Sequence, residues 1–295
     1  RSASALAAGS VTCALLDNGT VKCWGGNESG QLGLGDRGHR GDGLGEMGDK
    51  LPTVDLGRGR TVQSVASGAN GHTCALLNTG DVKCWGRNAF GSLGLGDVNN
   101  RGDDSNEMGD ALPNVNLGSG RTATAIVAGS FHVCALLDTG NIKCWGRNND
   151  GQLGLGDMDD RGDGPGEMGD ALPVVSLGAN RTARTLVANG NQSCAILDNG
   201  ALKCWGIAYG QGGIGRRGDA SGEMGDIMPA IELGTGRSIK ALTAGQDHDC
   251  ALLDDGGVKC WGGNNFWGFL GLGDSVTRGF SPGEMGDALP AVRLL

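Results

Sequence analysis

The sequence predicts an all-β fold, a β-propeller built from five repeated four-stranded blades. Three observations predict it: one phrase recurs five times, glycine-rich turns separate short apolar runs, and no helical periodicity is present. A β-solenoid is the weaker alternative, because its coils are usually much shorter than this repeat. The repeat is marked by tryptophans 61, 60, 60 and 56 residues apart, which we expect to pack between blades: Trp24, Trp85, Trp145, Trp205 and Trp261.

The first repeat shows the expected elements in order. Strands over 12–16 and 20–24 form a hairpin, and two weaker strand candidates lie at 53–56 and 62–67. The turn between the hairpin strands is Asp-Asn-Gly, and Gly19 in its third place is typical of a type I turn closed by a residue in the left-handed region. Each repeat therefore supplies four short strands, which is enough for one blade.

The ten cysteines form five pairs, each 10 residues apart in the chain. With a three-residue turn, the two cysteines of a hairpin face each other, and their Cβ atoms lie about 4.5–5.5 Å apart, close to disulfide geometry. Structural zinc needs shorter Cys-x-x-Cys spacings, and free buried cysteines are the other alternative. Disulfides indicate an oxidising compartment, so we expect an extracellular, cell-surface or periplasmic protein. The expected pairs are Cys13–Cys23, Cys74–Cys84, Cys134–Cys144, Cys194–Cys204 and Cys250–Cys260.

The two ends of the chain match parts of the internal repeats. Residues 1–8 resemble 60–67, and residues 289–295 resemble the run that begins at 112. We therefore expect the terminal strands to share one sheet and to close the propeller, which removes exposed strand edges. The start at Arg1, without a signal peptide, suggests a mature or trimmed form. The expected organisation is a single domain over 1–295, with repeats at about 1–59, 60–120, 121–180, 181–236 and 237–295.

Composition and charge exclude several classes of protein. Glycine is 59 of 295 residues, but it shows no Gly-X-Y period, which excludes collagen. The net charge of −9 disfavours nucleic acid as a partner, because nucleic-acid binding depends on lysine and arginine. The longest apolar runs fall far short of the ~18 residues that indicate a membrane span.

The phrase that follows the hairpin is Asn-Asn-Asp-Gly-Gln-Leu-Gly-Leu-Gly-Asp at 148–157. Together with the hairpin it resembles the repeat of the regulator of chromosome condensation family, in its bacterial-type extracellular form, over nearly the whole chain. The resemblance implies a β-propeller, normally of seven blades, whereas this sequence has five repeats. Members include an exchange factor for a small nuclear GTPase, a plant ultraviolet photoreceptor and a bacterial inhibitor of β-lactamase. The resemblance alone therefore does not fix the function.

An acidic loop in each repeat is the strongest functional lead. Acids recur there at four positions and account for 18 of the 33 acids of the chain. Three explanations remain open: local structure, with the acids capping turns and pairing with arginine; calcium binding through carboxylates; and a docking face for a basic partner or a neighbouring subunit. The candidate binding residues are Asp36, Asp97, Asp157 and Asp274; Asp42, Asp103, Asp163 and Asp219; Glu46, Glu107, Glu167, Glu223 and Glu284; and Asp49, Asp110, Asp170, Asp226 and Asp287.

The histidines do not suggest a catalytic site. His72, His132 and His248 occupy one position of the repeat, where the other repeats have Val11 and Gln192. A catalytic or metal-binding ring would not tolerate these losses, and no nucleophile with a base stands apart from the repeat. We therefore expect no enzyme activity and no cofactor other than the calcium considered above.

These inferences combine into one functional hypothesis with two alternatives. The chain is expected to be a non-enzymatic extracellular or periplasmic propeller that acts as a protein-binding or structural scaffold. Its expected partner is another protein or further copies of itself, as a homo-oligomer or polymer. The first alternative is an inhibitor of a secreted enzyme. The second is a calcium-dependent surface or carbohydrate binder, which the 4% aromatic content disfavours because sugars stack on aromatic rings.

Overall fold

The computed structural model describes residues 1–208, 210, 215–245, 247–263 and 265–294. The described residues form β-strands and short 3₁₀ helices, as the all-β prediction requires. The strands are β1 (Ala3–Ala8), β2 (Val11–Leu16), β3 (Val21–Gly25), β4 (Val62–Ser67), β5 (His72–Leu77), β6 (Val82–Gly86), β7 (Ala123–Ala128), β8 (His132–Leu137), β9 (Ile142–Gly146), β10 (Ala183–Asn189), β11 (Gln192–Leu197), β12 (Leu202–Ala208), β13 (Gly215–Arg217), β14 (Ile239–Ala244), β15 (His248–Leu253) and β16 (Val258–Gly262). The 3₁₀ helices are Gly48–Lys50, Gly109–Ala111, Gly169–Ala171, Gly225–Ile227, Asn265–Trp267 and Gly286–Ala288.

Each repeat contributes one antiparallel sheet. The sheet orders are β1-β2-β3, β4-β5-β6, β7-β8-β9, β10-β11-β12-β13 and β14-β15-β16. The chain divides into two compact units, one of Arg1–Asn148 with Asp159–Val174 and one of Asn149–Met158 with Val175–Leu295. The first unit contains the first three sheets and the second unit contains the other two. The single domain and its repeat boundaries stay predictions.

The hairpins have the predicted register. Cys13 lies directly opposite Cys23, and the Leu16 N–H donates to the Thr20 carbonyl at 2.9 Å. Gly19 has a φ of 76°, in the left-handed region that glycine enters without strain. All five predicted disulfides are present, each with a Cα–Cα distance of 4.0 or 4.1 Å. The five hairpin disulfides are therefore confirmed.

The segment that follows Leu-Pro, here called the linking run, is not a strand as predicted for 53–56. It joins the hairpin through one backbone bond, from the Val54 N–H to the Val21 carbonyl at 2.8 Å. Its apolar side chains instead pack in a core between neighbouring sheets, where Leu56 is buried with Leu77 and Trp85. The linking runs are residues 51–56, 112–117, 172–177, 228–233 and 289–294.

The place of the fourth strand is taken by a different segment. In four repeats a single bridge joins the last residue of the hairpin to an arginine of the acidic loop, as between Gly25 and Arg40. In the fourth repeat this contact extends into β13, which pairs with β12. The other strand prediction, for 62–67, is confirmed by β4.

We predicted that the two chain ends share one sheet, but the hydrogen bonds among the described residues do not join them. Strand β1 pairs with β2 in the first sheet. The Val292 N–H donates to the Val258 carbonyl at 2.7 Å, which places the last linking run beside the fifth hairpin. Because each linking run lies against the hairpin of its own repeat, the match between the chain ends does not require a common sheet.

Candidate functional site

The candidate acids lie in the loop between each hairpin and its linking run. The aspartate of the first position forms an ion pair with an arginine of the same loop. Asp97 Oδ2 is 2.6 Å from Arg101 Nη2. The same guanidinium donates to the Asn99 carbonyl at 2.9 Å, and the Arg101 backbone bonds to Gly86 at the end of β6. The first acid therefore folds the loop back onto the hairpin. The pair recurs between Asp36 and Arg40 at 2.6 Å and between Asp274 and Arg278 at 2.9 Å.

The glutamate of the third position holds the turn that begins with Arg-Gly. Glu167 Oε2 accepts the N–H groups of Gly162 at 2.9 Å and Gly164 at 2.8 Å. Two backbone N–H groups are bound in the same way by Glu46, Glu107, Glu223 and Glu284. Hydrogen bonds from backbone N–H groups favour the ionised carboxylate. Accordingly, the Gly43 and Gly41 N–H groups lower the pKa of Glu46.

The second acidic position is not uniform among the repeats. Asp42 is exposed, whereas Asp103 is buried and lies 2.9 Å from Arg37 Nη2. Burial raises the pKa of Asp163, and the neighbouring Glu167 raises it further. The pKa of Asp219 is raised for the same two reasons, its neighbour being Glu223. The aspartates of the second position therefore differ in their burial and in the charged groups beside them.

The aspartate of the fourth position caps the turn that precedes the first strand of a sheet, as Asp287 does before β14. Asp287 accepts the Thr235 N–H at 2.9 Å and the Thr235 hydroxyl at 2.6 Å. These bonds, led by the one from the hydroxyl, lower the pKa of Asp287. Equivalent bonds reach Asp110 from the Arg58 N–H, Asp170 from the Ser119 N–H and Asp226 from the Ala179 N–H, at 2.9 to 3.1 Å.

Most of the candidate acids thus bind groups of the chain itself, which favours the local-structure explanation over calcium. A cation bound to Oε2 of these glutamates would have to displace the two N–H donors that this oxygen already accepts. Among the described residues, the single group of three potential metal ligands is Cys194, Cys204 and Asp249. Its two cysteines are joined by a disulfide and offer no thiolate. The candidate loops are therefore held by hydrogen bonds and ion pairs within the chain.

The histidines have separate environments. Burial lowers the pKa of His72 to about 4. Burial, together with the nearby His72, lowers the pKa of His132 to about 3, so both rings are neutral at pH 7. The His248 ring stacks on Phe269 with 5.4 Å between ring centroids. These surroundings are those of packing residues.

Four of the five repeat tryptophans are fully buried in the packing predicted for them, whereas Trp24 is only partly buried. The sequence reasoning missed the residues that they contact. The Trp85 N–H donates to the Gln31 carbonyl at 3.0 Å. A Cβ atom on Gly33 would lie 2.8 Å from Trp85 Nε1 and 3.0 Å from Met108 Cε. We call this set of a tryptophan, a methionine and a glycine of the preceding loop the tryptophan clamp. It recurs at Trp145 with Met168 and Gly94, at Trp205 with Met224 and Gly154, and at Trp261 with Met285 and Gly210.

Two further buried polar groups were missed. Lys143 Nζ donates to the carbonyls of Gly169 at 2.7 Å and Leu117 at 3.1 Å. The sequence signal for this buried group was the lysine that precedes the second cysteine of every hairpin. Asp249 is buried between hairpin residues, and burial raises its pKa to about 7. Thr73 and Ser193 occupy the same repeat position, so the change to aspartate was the signal for this residue.

No helix among the described residues has the length and apolar character needed to cross a membrane. The chain matches a known repeat in two ways. One description of the Regulator of chromosome condensation (RCC1) repeat matches residues 9–31, 62–92, 123–152 and 239–266, and a second matches residues 79–136.

Two curated relatives carry the same repeat. The ultraviolet-B receptor UVR8 of Arabidopsis thaliana is 29% identical over 282 residues, which are 93% of this chain and 56% of UVR8. The mitochondrial RCC1 domain-containing protein RUG3 of the same plant is 28% identical over 240 residues, 76% of this chain and 50% of RUG3. The chain therefore spans about half the length of these relatives.

Solved structures show the same fold. Prp20p of Saccharomyces cerevisiae superposes with a TM-score of 0.67 at 21% identity, over 99% of this chain and 63% of Prp20p. Human WBSCR16 superposes with a TM-score of 0.66 at 19% identity, over 97% of this chain and 65% of WBSCR16. At these identities the likeness shows the fold alone, and it confirms the predicted fold class. The chain therefore carries regulator of chromosome condensation (RCC1) repeats and has a β-propeller fold.

Proposed function

We propose that the chain is a non-enzymatic, protein-binding scaffold of an oxidising compartment, outside the cell, at its surface or in the periplasm. The five disulfides support the compartment, because such bonds persist where thiols are not kept reduced. The neutral, buried His72 and His132 and the stacked His248 support the lack of catalysis. Proteins of similar fold support protein binding. One solved structure is of Kap60 bound to yeast RCC1 (Prp20). Another structure, of Prp20p, was described together with the binding of Prp20p to Gsp1p and histones.

The observation that carries the proposal is the exposure of acids on loops that are themselves held rigid. Asp104 is 74% exposed, although its own backbone N–H is bound by Glu107 at 3.1 Å. Glu28 and Asp42 are also exposed. A loop fixed by a rigid scaffold presents its side chains with little loss of conformational entropy on binding. With a net charge of −9, the surface is suited to a partner with a basic patch.

Affinity capture from the native secreted or periplasmic fraction tests this function. The bait is the whole chain, compared with a triple variant, Glu28→Gln with Asp42→Asn and Asp104→Asn. A control variant removes three charges from the second unit through Glu232→Gln, Asp254→Asn and Asp255→Asn. We expect a partner that the control retains and that the first variant binds about ten-fold more weakly at low salt.

Three outcomes would contradict or redirect the proposal. Equal capture by all three baits would show that these acids do not contact the partner. If the captured protein is a secreted enzyme whose activity falls on binding, the inhibitor alternative replaces the scaffold. Turnover of a substrate by the purified chain would contradict the lack of catalysis.

A further inference from the structure

The boundary between the second and third repeats carries two phenylalanines that the repeat itself does not require. Phe90 follows the second hairpin, and Phe131 directly precedes the third. The first and third repeats have Ser29 and Asp150 in the place of Phe90. In the place of Phe131 the other four repeats have serine, glycine, asparagine or aspartate. Because these repeats form the same hairpin without the rings, the two phenylalanines are not needed for the fold.

Two arginines gather around these rings and form with them the arginine–phenylalanine cluster, which consists of Arg87, Phe90, Phe131 and Arg147. The two rings meet edge to face, with 5.2 Å between their centroids. The Arg147 guanidinium carbon lies 5.1 Å from the Phe90 centroid and 5.3 Å from the Phe131 centroid. The Arg87 guanidinium carbon lies 6.0 Å from the Phe131 centroid. These distances are those of cation–π contacts, which stabilise a guanidinium on a ring.

Hydrogen bonds to the backbone hold the cluster in place. The Phe131 carbonyl accepts the Arg147 N–H at 3.0 Å and the Ser92 hydroxyl at 2.8 Å. The Arg87 N–H donates to the Gly71 carbonyl at 2.7 Å. Arg87 is nevertheless exposed, and the other three side chains of the cluster are half-buried. The cluster is therefore an ordered surface feature, which loses little conformational entropy when it binds a ligand.

The two positive charges of the cluster are not neutralised by an acid in contact with them. Among the residues that the structure describes, neither Arg87 nor Arg147 forms an ion pair, although most other arginines do. Burial raises the pKa of Asp160, and Arg147 acts on it only from a longer distance. The Asp160 carboxylate instead accepts the Asn148 N–H at 2.7 Å. In a chain of net charge −9, two arginines beside one ring are therefore suited to an external anion.

We propose that the arginine–phenylalanine cluster binds a short acidic segment of a partner protein. Its carboxylates bind Arg87 and Arg147, and a neighbouring apolar side chain packs on the phenylalanine rings. A guanidinium stacked on a ring keeps its N–H edge for a bidentate bond to a carboxylate. A short segment brings few charges for the acidic chain to repel, whereas a long polyanion such as nucleic acid brings many. This site is separate from the acidic surface proposed above and opposite to it in charge.

Selection from a library of random heptapeptides on the immobilised full chain tests the site. Counter-selection on the double variant Arg87→Gln with Arg147→Gln removes peptides that bind other surfaces. We expect the enriched peptides to carry paired aspartates or glutamates next to an aromatic or aliphatic residue. No enrichment over the double variant, or enriched peptides without an excess of acids, would overturn the proposal. The most enriched peptide, labelled and followed by fluorescence anisotropy, is the probe for the other measurements.

Substitutions taken from the fourth repeat remove the cluster while they keep residues that the fold accepts. Phe131→Asn and Arg147→Ile each introduce the residue that the fourth repeat has at the same position. We expect each to weaken binding of the probe peptide at least about ten-fold. The matched control, Arg58→Gln with Arg184→Gln, removes two exposed positive charges outside the cluster and should leave binding unchanged. Circular dichroism melting verifies that each variant is folded. A control that binds as weakly as the double variant would overturn the proposal, because net charge alone would then attract the peptide.

Two further arms separate this site from the acidic surface and from nucleic acid. The triple variant Glu28→Gln with Asp42→Asn and Asp104→Asn should bind the probe peptide at least as tightly as the wild type. Failure of the acidic surface and failure of this site are therefore distinguishable, and loss of the peptide by the triple variant would overturn the proposal. A single-stranded DNA oligonucleotide serves as a competitor. If it binds the cluster more tightly than the peptide does, nucleic acid replaces the acidic segment and the proposal is overturned.

Discussion

The indole N–H of Trp85 donates to the main-chain carbonyl of Gln31, 3.0 Å away, across the boundary between two repeats. The bond fixes the loop of one repeat against the hairpin of the next. It also satisfies a polar group on a fully buried side chain, which would otherwise destabilise the fold. The glycine-rich loop is therefore a packing element, and its conformation follows from the ring that it covers.

We expect Gly33→Ala to destabilise the first unit strongly. The new Cβ atom would lie 2.8 Å from Trp85 Nε1 at a residue whose φ is +67°. The control is Gly120→Ala, which has the same φ of +67° and open space. In denaturant unfolding we expect a loss of about 3 kcal/mol for Gly33→Ala and of about 1 kcal/mol for the control. Equal losses would show that strain at positive φ, rather than the clamp, accounts for the effect.

The glutamate of the acidic loop offers a second test. Glu167→Ala removes the acceptor of two backbone N–H groups, and we expect it to lower the free energy of unfolding by about 1–3 kcal/mol. Asp104→Ala removes an equally charged but exposed acid and should change stability by less than about 0.5 kcal/mol. Hydrogen exchange at Gly162 and Gly164 should accelerate in the glutamate variant alone. Unchanged exchange there would contradict the structural role of the third acidic position.

Asp249 makes stability depend on pH. Burial raises its pKa from 3.8 to about 7. The Gln192 side chain lies beside it, but neither carboxyl oxygen has a hydrogen-bond partner among the described residues. The folded chain therefore keeps this proton up to about pH 7, whereas the unfolded chain loses it near pH 4. Stability should fall between these two values and level off above pH 7.

Asp249→Asn should remove this dependence. At pH 8 we expect the variant to be more stable than the wild type by up to about 4 kcal/mol, whereas near pH 4 the two should melt alike. The exposed Asp255 serves as the control, because the Gly257 N–H lowers its pKa and its substitution leaves the pH 4–7 range unaffected. Parallel pH profiles of the wild type and Asp249→Asn would contradict a buried, protonated carboxyl.

Local chemistry explains which elements the sequence could predict. The hairpins follow from the turn residues and the facing cysteines, and β4 follows from the short run that precedes the next hairpin. The linking run resembles a strand in sequence because Val54 and Leu56 are apolar, but these side chains are buried between sheets. One backbone bond from the Val54 N–H to the hairpin does not make the run a strand. Arg40 gave no strand signal, since its place beside Gly25 depends on the ion pair with Asp36.

The acidic loop shows the same limit. Its repeated acids could be found from the sequence, but their roles depend on backbone donors that are distant in the chain. Asp287 lies 52 residues from the Thr235 N–H that it accepts. Periodicity therefore located the candidate site, whereas only the fold separated the acids that stabilise turns from those that face solvent, such as Asp42.

The measurement that tests the account most directly is the mass of the protein isolated from its natural source, alkylated while denatured but unreduced. All five hairpin disulfides and the proposed oxidising compartment predict no alkylated thiol among the ten cysteines. Reduction before alkylation should then add ten groups. Adducts on both cysteines of a hairpin such as Cys74 and Cys84 without reduction would contradict the account and place the protein in a reducing compartment.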